Sequence, residues 1–221
     1  MLLIGLGVLS LTACSGDSSG DVSDPPNATS SAAAAATEAA VPAGFKAISG
    51  TAYRFALPTD VAFVLDEERV TDDGQVVKRW RYAVTPTGPF CLAQTVEQAD
   101  FTGAFPESVV ALFAAGSQPD QKILRNEAMQ PNPAGTRGGV DQESTFTGTL
   151  DDGTSFSNHL YQRKFLTPGN SLITLVVAGP ETNSAQCHLP EIIGTFAATG
   201  QEFTAATPPP STAAETSPPT G

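Results

Sequence analysis

Asp151-Asp152-Gly153 separates two runs of alternating apolar and polar residues, 144–150 and 154–166, and this arrangement commits the chain to a β-hairpin. A period of two cannot bury one face of a helix, and the glycine supplies the positive φ that a tight reversal needs. A second Asp-Gly pair, Asp73-Gly74, leads into a strand pattern at 76–84, and shorter ones fall at 53–57 and 90–97. Residues 171–178 are almost continuously apolar, which suits a central strand buried on both faces. Two segments are helical in pattern. The first is 106–115, with Pro106 at its start, Glu107 in the first turn, Val109, Val110, Leu112 and Phe113 on one stripe, and Gly116 beyond. The second is 190–199, carrying Ile192, Ile193 and Phe196, with Gly200 as its stop. Strands joined by tight turns and accompanied by two helices predict an α+β domain, a mainly antiparallel β-sheet with helices packed on it.

The ends read differently. Residues 15–42 are dominated by Ser, Gly, Asp, Pro, Thr and Ala without an aromatic residue, and 204–221 are rich in Ser, Thr, Pro and Ala. Such segments bury too little apolar surface to offset their ordering entropy. The expected division is therefore a leader at 1–13, a flexible linker at 14–42, an α+β domain at 43–203 and a disordered tail at 204–221. All eleven basic residues lie within 43–203, but the chain still has a net charge of −12. That balance repels nucleic-acid phosphates and disfavours a nucleic-acid partner.

Residues 2–13 are twelve mostly apolar residues, too few to span about 30 Å of hydrocarbon. They suit the apolar region of a signal peptide, and Leu11-Thr12-Ala13-Cys14 resembles the lipobox of bacterial lipoproteins. The resemblance implies cleavage before Cys14 and a diacylglycerol on its thiol, whose two chains are enough for stable anchoring. No Lys or Arg precedes the run, which points to a start upstream of Met1. The expected location is extracytoplasmic, anchored at the outer face of the cell membrane.

Two cysteines remain, Cys91 and Cys187. In an exported domain they can form one disulfide, and two separate buried thiols are the alternative. Along 78–82, alternation puts Lys78, Trp80 and Tyr82 on one face and Arg79 and Arg81 on the other. Either Trp80 is core and the arginines pair with acids, or Trp80, Tyr82, Arg79 and Arg81 offer an aromatic and cationic patch to a ligand. The acids Asp66-Glu67-Glu68 and Asp72-Asp73 lack the ligand order of a calcium loop and read as solvated loops. Gly135-Thr136-Arg137-Gly138-Gly139 also reads as a loop, since no Lys-Ser/Thr pair follows to hold phosphate. The histidines, His159 and His188, have no metal-ligand spacing; the first is expected on a half-exposed sheet face and the second at the start of the last helix. No nucleophile elbow or dinucleotide fingerprint is present, so neither enzyme activity nor a cofactor is expected.

The segments Tyr53-Arg54-Phe55-Ala56-Leu57-Pro58, 172–179 and Cys187-His188-Leu189-Pro190-Glu191-Ile192-Ile193, with the lipobox and the Ala/Thr/Pro tether, resemble the actinobacterial LpqN/LpqT-like lipoproteins. That resemblance implies a PsbP-like domain and a binding role toward envelope proteins or lipids, with no active site to carry over. The expected protein is a monomeric, non-catalytic binding module. A lipid carrier with an internal apolar cavity, motivated by Phe146, Phe156 and Phe165, is the alternative, and a hydrolase is disfavoured.

Overall fold

Ten strands and two helices make up residues 41–207, apart from 86, 87 and 119, in the computed structural model. The expected leader 1–13, Cys14, most of the linker and the tail beyond Thr207 lie outside these described residues. A seven-stranded sheet holds β3 (Val64–Val70), β4 (Val76–Ala83), β5 (Phe90–Gln98), β6 (Lys122–Ala128), β7 (Gly138–Thr149), β8 (Ser155–Leu166) and β9 (Leu172–Pro180). Its spatial order is β3-β4-β5-β9-β8-β7-β6, with every neighbour antiparallel. A smaller sheet, in order β1-β2-β10, joins β1 (Phe45–Ser49), β2 (Tyr53–Pro58) and β10 (Ala197–Ala198). Helix α1 (Glu107–Ala115) packs on β6 and β7, and α2 (Leu189–Gly194) packs on β9, β8 and β2. The α+β class, mainly antiparallel with helices on the sheet, is the one expected.

The hydrophobic core lies between the large sheet and the layer formed by β2 and α2. Tyr53, Phe55 and Leu57 of β2 meet Trp80 of β4, Leu175 and Val177 of β9, and Leu189 and Ile192 of α2. Burying an aliphatic or aromatic side chain of this size contributes about 1.5–3 kcal/mol. All nine residues of β9 are buried at the centre of the sheet, as its continuous apolar run predicts. The β7–β8 hairpin closes through Leu150 and Thr154, with Gly153 at φ 85°.

Several local expectations are corrected. The acidic run at 66–68 is not a loop: it lies in edge strand β3, where Lys78 and Arg79 of β4 neutralise its carboxylates. Gly138 and Gly139 open β7, six residues before the predicted start of that strand. A Cβ on Gly139 would fall 2.7 Å from Met129 Sδ and 2.9 Å from Pro133 Cγ, so the absent side chain lets the 129–133 segment lie against the strand. The stripe expected on α1 is not buried as a whole. Val109 is buried and Leu112 is 41% exposed, because the helix sits at the margin of the sheet over β6 and β7. The last helix ends at Gly194, well short of Thr199, since Thr195 Oγ1 accepts the Ala56 amide at 2.8 Å and 197–198 pair with β2. β1 and β6 carried no signal that the sequence reading used.

Candidate functional site

The four residues expected to form a ligand patch fall on two faces of β4. Trp80 is core, 7% exposed and edge-on to Phe55 with ring centroids 5.3 Å apart. Tyr82, on the same face, packs beside Phe63 at 6.0 Å. On the opposite face Arg79 bonds Asp66 Oδ1 at 3.2 Å and Glu67 Oε2 at 2.7 Å, while Arg81 reaches Asp66 Oδ2 at 3.3 Å and lies 3.9 Å over the Phe90 ring. The patch as expected is therefore divided. Buried Trp80 has no surface to offer, and both arginines are paired with acids of β3.

Arg81 and Tyr82 do meet at one place. Where the β3–β4–β5 edge begins, they line a groove of about 420 Å³ with Ala62, Val64, Ala83 and Phe90. Val64 is 62% exposed there, so the groove has an apolar lining, and the Arg81–Asp66 pair forms its charged rim. Such a groove can hold an apolar side chain or acyl group and orient a polar atom beside it. A second hollow, of about 620 Å³, lies between the 100–105 segment, Arg137, Leu166 and Asn170. Both are open to solvent.

The histidines each hold a carboxylate. His159 Nε2 lies 2.7 Å from Glu143 Oε1, and its ring stacks on Tyr161 at 4.3 Å. Burial, then the Glu143 charge, pushes the Tyr161 hydroxyl above its ordinary pKa. Beside them Arg163 bonds Asp141 at 2.6 and 3.0 Å and the Ile193 carbonyl at 3.2 Å. His188, in the left-handed conformation before α2, bonds Asp60 at 3.1 Å. Among the described residues neither imidazole is hydrogen-bonded to a hydroxyl, and no three His, Cys, Asp or Glu side chains gather as metal ligands. Sequence reasoning passed over Asp141 and Glu143. Their partners become visible only once Asp141↔Arg163 and Glu143↔Tyr161 are in register across β7 and β8.

Burial also shifts a carboxylate and an ammonium. Glu97 is buried beneath β2, where its carboxylate accepts the Ala52 amide at 3.0 Å, close to the Tyr53–Thr95 hydroxyl pair. Burial raises its pKa above the ordinary 4.5, with the Ala52 hydrogen bond and the Lys78 charge opposing. The folded protein thus holds this proton to higher pH than the unfolded chain does. The stability it brings is complete below pH 4.5 and is lost as pH rises through the raised pKa. Glu97→Gln is expected to flatten this fall in stability above pH 4.5, measured by urea unfolding across pH. An unchanged profile would place the titration elsewhere. Lys164 is the second group. Half-buried between Val140 and Thr174, it has no hydrogen bond or ion pair among the described residues, and burial draws its pKa down to about 8.

Cys91 of β5 and Cys187, two residues before α2, are bonded to each other and fully buried, with Cα atoms 6.0 Å apart. The bond ties α2 to the sheet beside Gly179.

No protein-family description matches the chain, and no curated protein matches it. Among solved structures it is similar to the Saccharomyces cerevisiae Ran-binding protein Mog1p, at 14% identity over 70% of this chain and 95% of that one, with a TM-score of 0.42. A point mutant of Mog1 matches at the same identity and TM-score, over 70% of this chain and 96% of its own. The expected kinship with LpqN/LpqT-like lipoproteins is corrected by these results. The segments that suggested it, 53–58 and 172–179, are β2 and the interior of β9, whose composition is dictated by burial in the core.

Proposed function

We propose that this chain is a non-catalytic binding module held by a lipid on Cys14 at the outer face of the cell membrane, where it engages an envelope protein or lipid as a monomer. The observation that supports binding is the open groove at Arg81, Tyr82 and Phe90, apolar inside and charged at its rim. The apolar segment 2–13 and the Leu11-Thr12-Ala13-Cys14 sequence support the anchor. Among the described residues no helix is long and apolar enough to cross a membrane.

The anchor is tested by feeding cells an alkyne-tagged palmitate. Label is expected on the wild-type chain and absent from Cys14→Ser; equal labelling of both would remove the lipid from the proposal. Binding is tested with a photo-crosslinking residue at Tyr82 in the full-length protein on cells. Adducts are expected, and Arg81→Ala should deplete them while changing stability by no more than about 1 kcal/mol, since the pair it breaks is partly exposed. Adducts of equal yield from wild type and Arg81→Ala would show that the groove does not bind.

A further inference from the structure

The larger of the two hollows, about 620 Å³, takes no part in the function proposed above. Two opposite charges line it: Asp100, from the segment after β5, and Arg137, the residue before β7. Both are exposed, and neither is neutralised by the protein. Arg69, Arg79, Arg81, Arg125 and Arg163 each lie beside a carboxylate. Arg137 has no acidic partner among the described residues, in a chain whose net charge is −12. Its guanidinium donates through Nη1 to the side-chain carbonyl of Asn170, in the turn between β8 and β9, and its other N–H groups have no partner among the described residues. The Asp100 carboxylate accepts no hydrogen bond and meets no cation among them, Arg137 included.

The surrounding backbone holds these groups in place. Asp100 and Asn170 are both left-handed, at φ 52° and 70°, a conformation that costs residues other than glycine free energy and clusters at ligand sites. The Phe101 amide donates to the Asn170 carbonyl at 2.9 Å and ties the two walls together. Thr102 and Gly103 lie outside any helix or strand, and their amides and carbonyls make no hydrogen bond among the described residues. Phe101 and Phe105, edge-on with ring centroids 6.3 Å apart, supply apolar lining. A volume of this size suits a small ligand. We propose that the hollow binds a short peptide with free ends. Its ammonium meets Asp100, its carboxylate meets Arg137, its main chain lies along Thr102 and Gly103, and an apolar side chain rests against the two rings. A simple anion would face the Asp100 carboxylate unanswered, and a simple cation would face Arg137; a ligand carrying both charges satisfies both.

The test titrates the peptide Ala-Phe-Ala into the ¹⁵N-labelled full chain, followed by NMR. Saturable shifts at the Thr102 and Gly103 amides are expected. Amidating the peptide's C-terminus should weaken binding to wild type about fivefold, the upper range for an exposed charge pair, and acetylating its N-terminus should do the same. Arg137→Gln should lose the response to amidation and keep the response to acetylation. Asp100→Asn should show the reverse. Asparagine tolerates the left-handed conformation at position 100 and Arg137 is exposed, so both variants are expected to fold, as checked by their amide spectra. No saturable shift with Ala-Phe-Ala, or capped peptides that bind wild type as tightly as the free one, would overturn the proposal. Acetate binding as tightly as the free peptide would likewise overturn it, because the hollow would then take any anion. Crosslinking at Tyr82 reads the groove separately, so either site can fail without the other.

Discussion

Removing the Cys91–Cys187 bond is expected to lower the unfolding free energy by about 4–5 kcal/mol, the value for closing a loop of roughly 100 residues on the chain-entropy account. The two cysteines are 96 residues apart in sequence, so the bond restricts the unfolded chain from β5 to the start of α2. Its place in the fold adds to this. α2 is only six residues long, too short to be stable alone, and it persists because Leu189, Ile192 and Ile193 are pressed into the core. The bond holds the segment that feeds them. A Cys91→Ala/Cys187→Ala protein compared with the oxidised wild type by urea unfolding should show the loss as a lower midpoint. Midpoints that coincide, with both thiols titratable in the unfolded wild type, would mean that the cysteines are separate buried thiols.

Arg163→Met is the other substitution with a large expected effect, a loss of about 3–5 kcal/mol. The Arg163 and Asp141 side chains are 17% and 13% exposed, so each ion is mostly withdrawn from water and depends on the other. Two N–H···O bonds join them, and a third runs from the guanidinium to the Ile193 carbonyl near the end of α2. Replacing the arginine leaves an unanswered carboxylate and a helix terminus without its donor. Arg125 lies 3.9 Å from Asp141, too distant to replace these bonds. Pairing the change with Asp141→Asn should restore part of the loss, because the stranded charge is then removed. A double variant as unstable as the sum of the singles would show that the pair is not coupled.

Much of the large sheet is legible in the sequence for a local reason. Asp-Gly turns and period-two alternation act over a few residues, so the β7–β8 hairpin, β4, β5 and β9 can be read directly from side-chain order. The errors share one physical origin. Asp66-Glu67-Glu68 resembles a solvated loop until Lys78 and Arg79 are placed alongside. Gly138-Gly139 resembles a loop until the 129–133 segment is packed against it, and 195–199 resembles helix until Ala56 and Arg54 of β2 claim Thr195 and Ala197. In each case a partner distant in sequence outweighs local propensity.

Candidate chemistry follows the same rule. The alternation at 78–82 is enough to divide Trp80 and Tyr82 from Arg79 and Arg81, because the pleat is a property of any strand. Composition likewise carries the net charge of −12, and residue order places the apolar run at 2–13 and two cysteines at 91 and 187. The groove at Arg81 and Phe90, the Glu143 carboxylate beside His159 and the Asp141–Arg163 pair depend on strand register. A shift of one residue between β8 and either neighbour would send Lys164 to the core and carry Arg163 away from Asp141 to the opposite face. Register is set by the whole buried surface packing at once, so it follows from the assembled core and no short segment contains it.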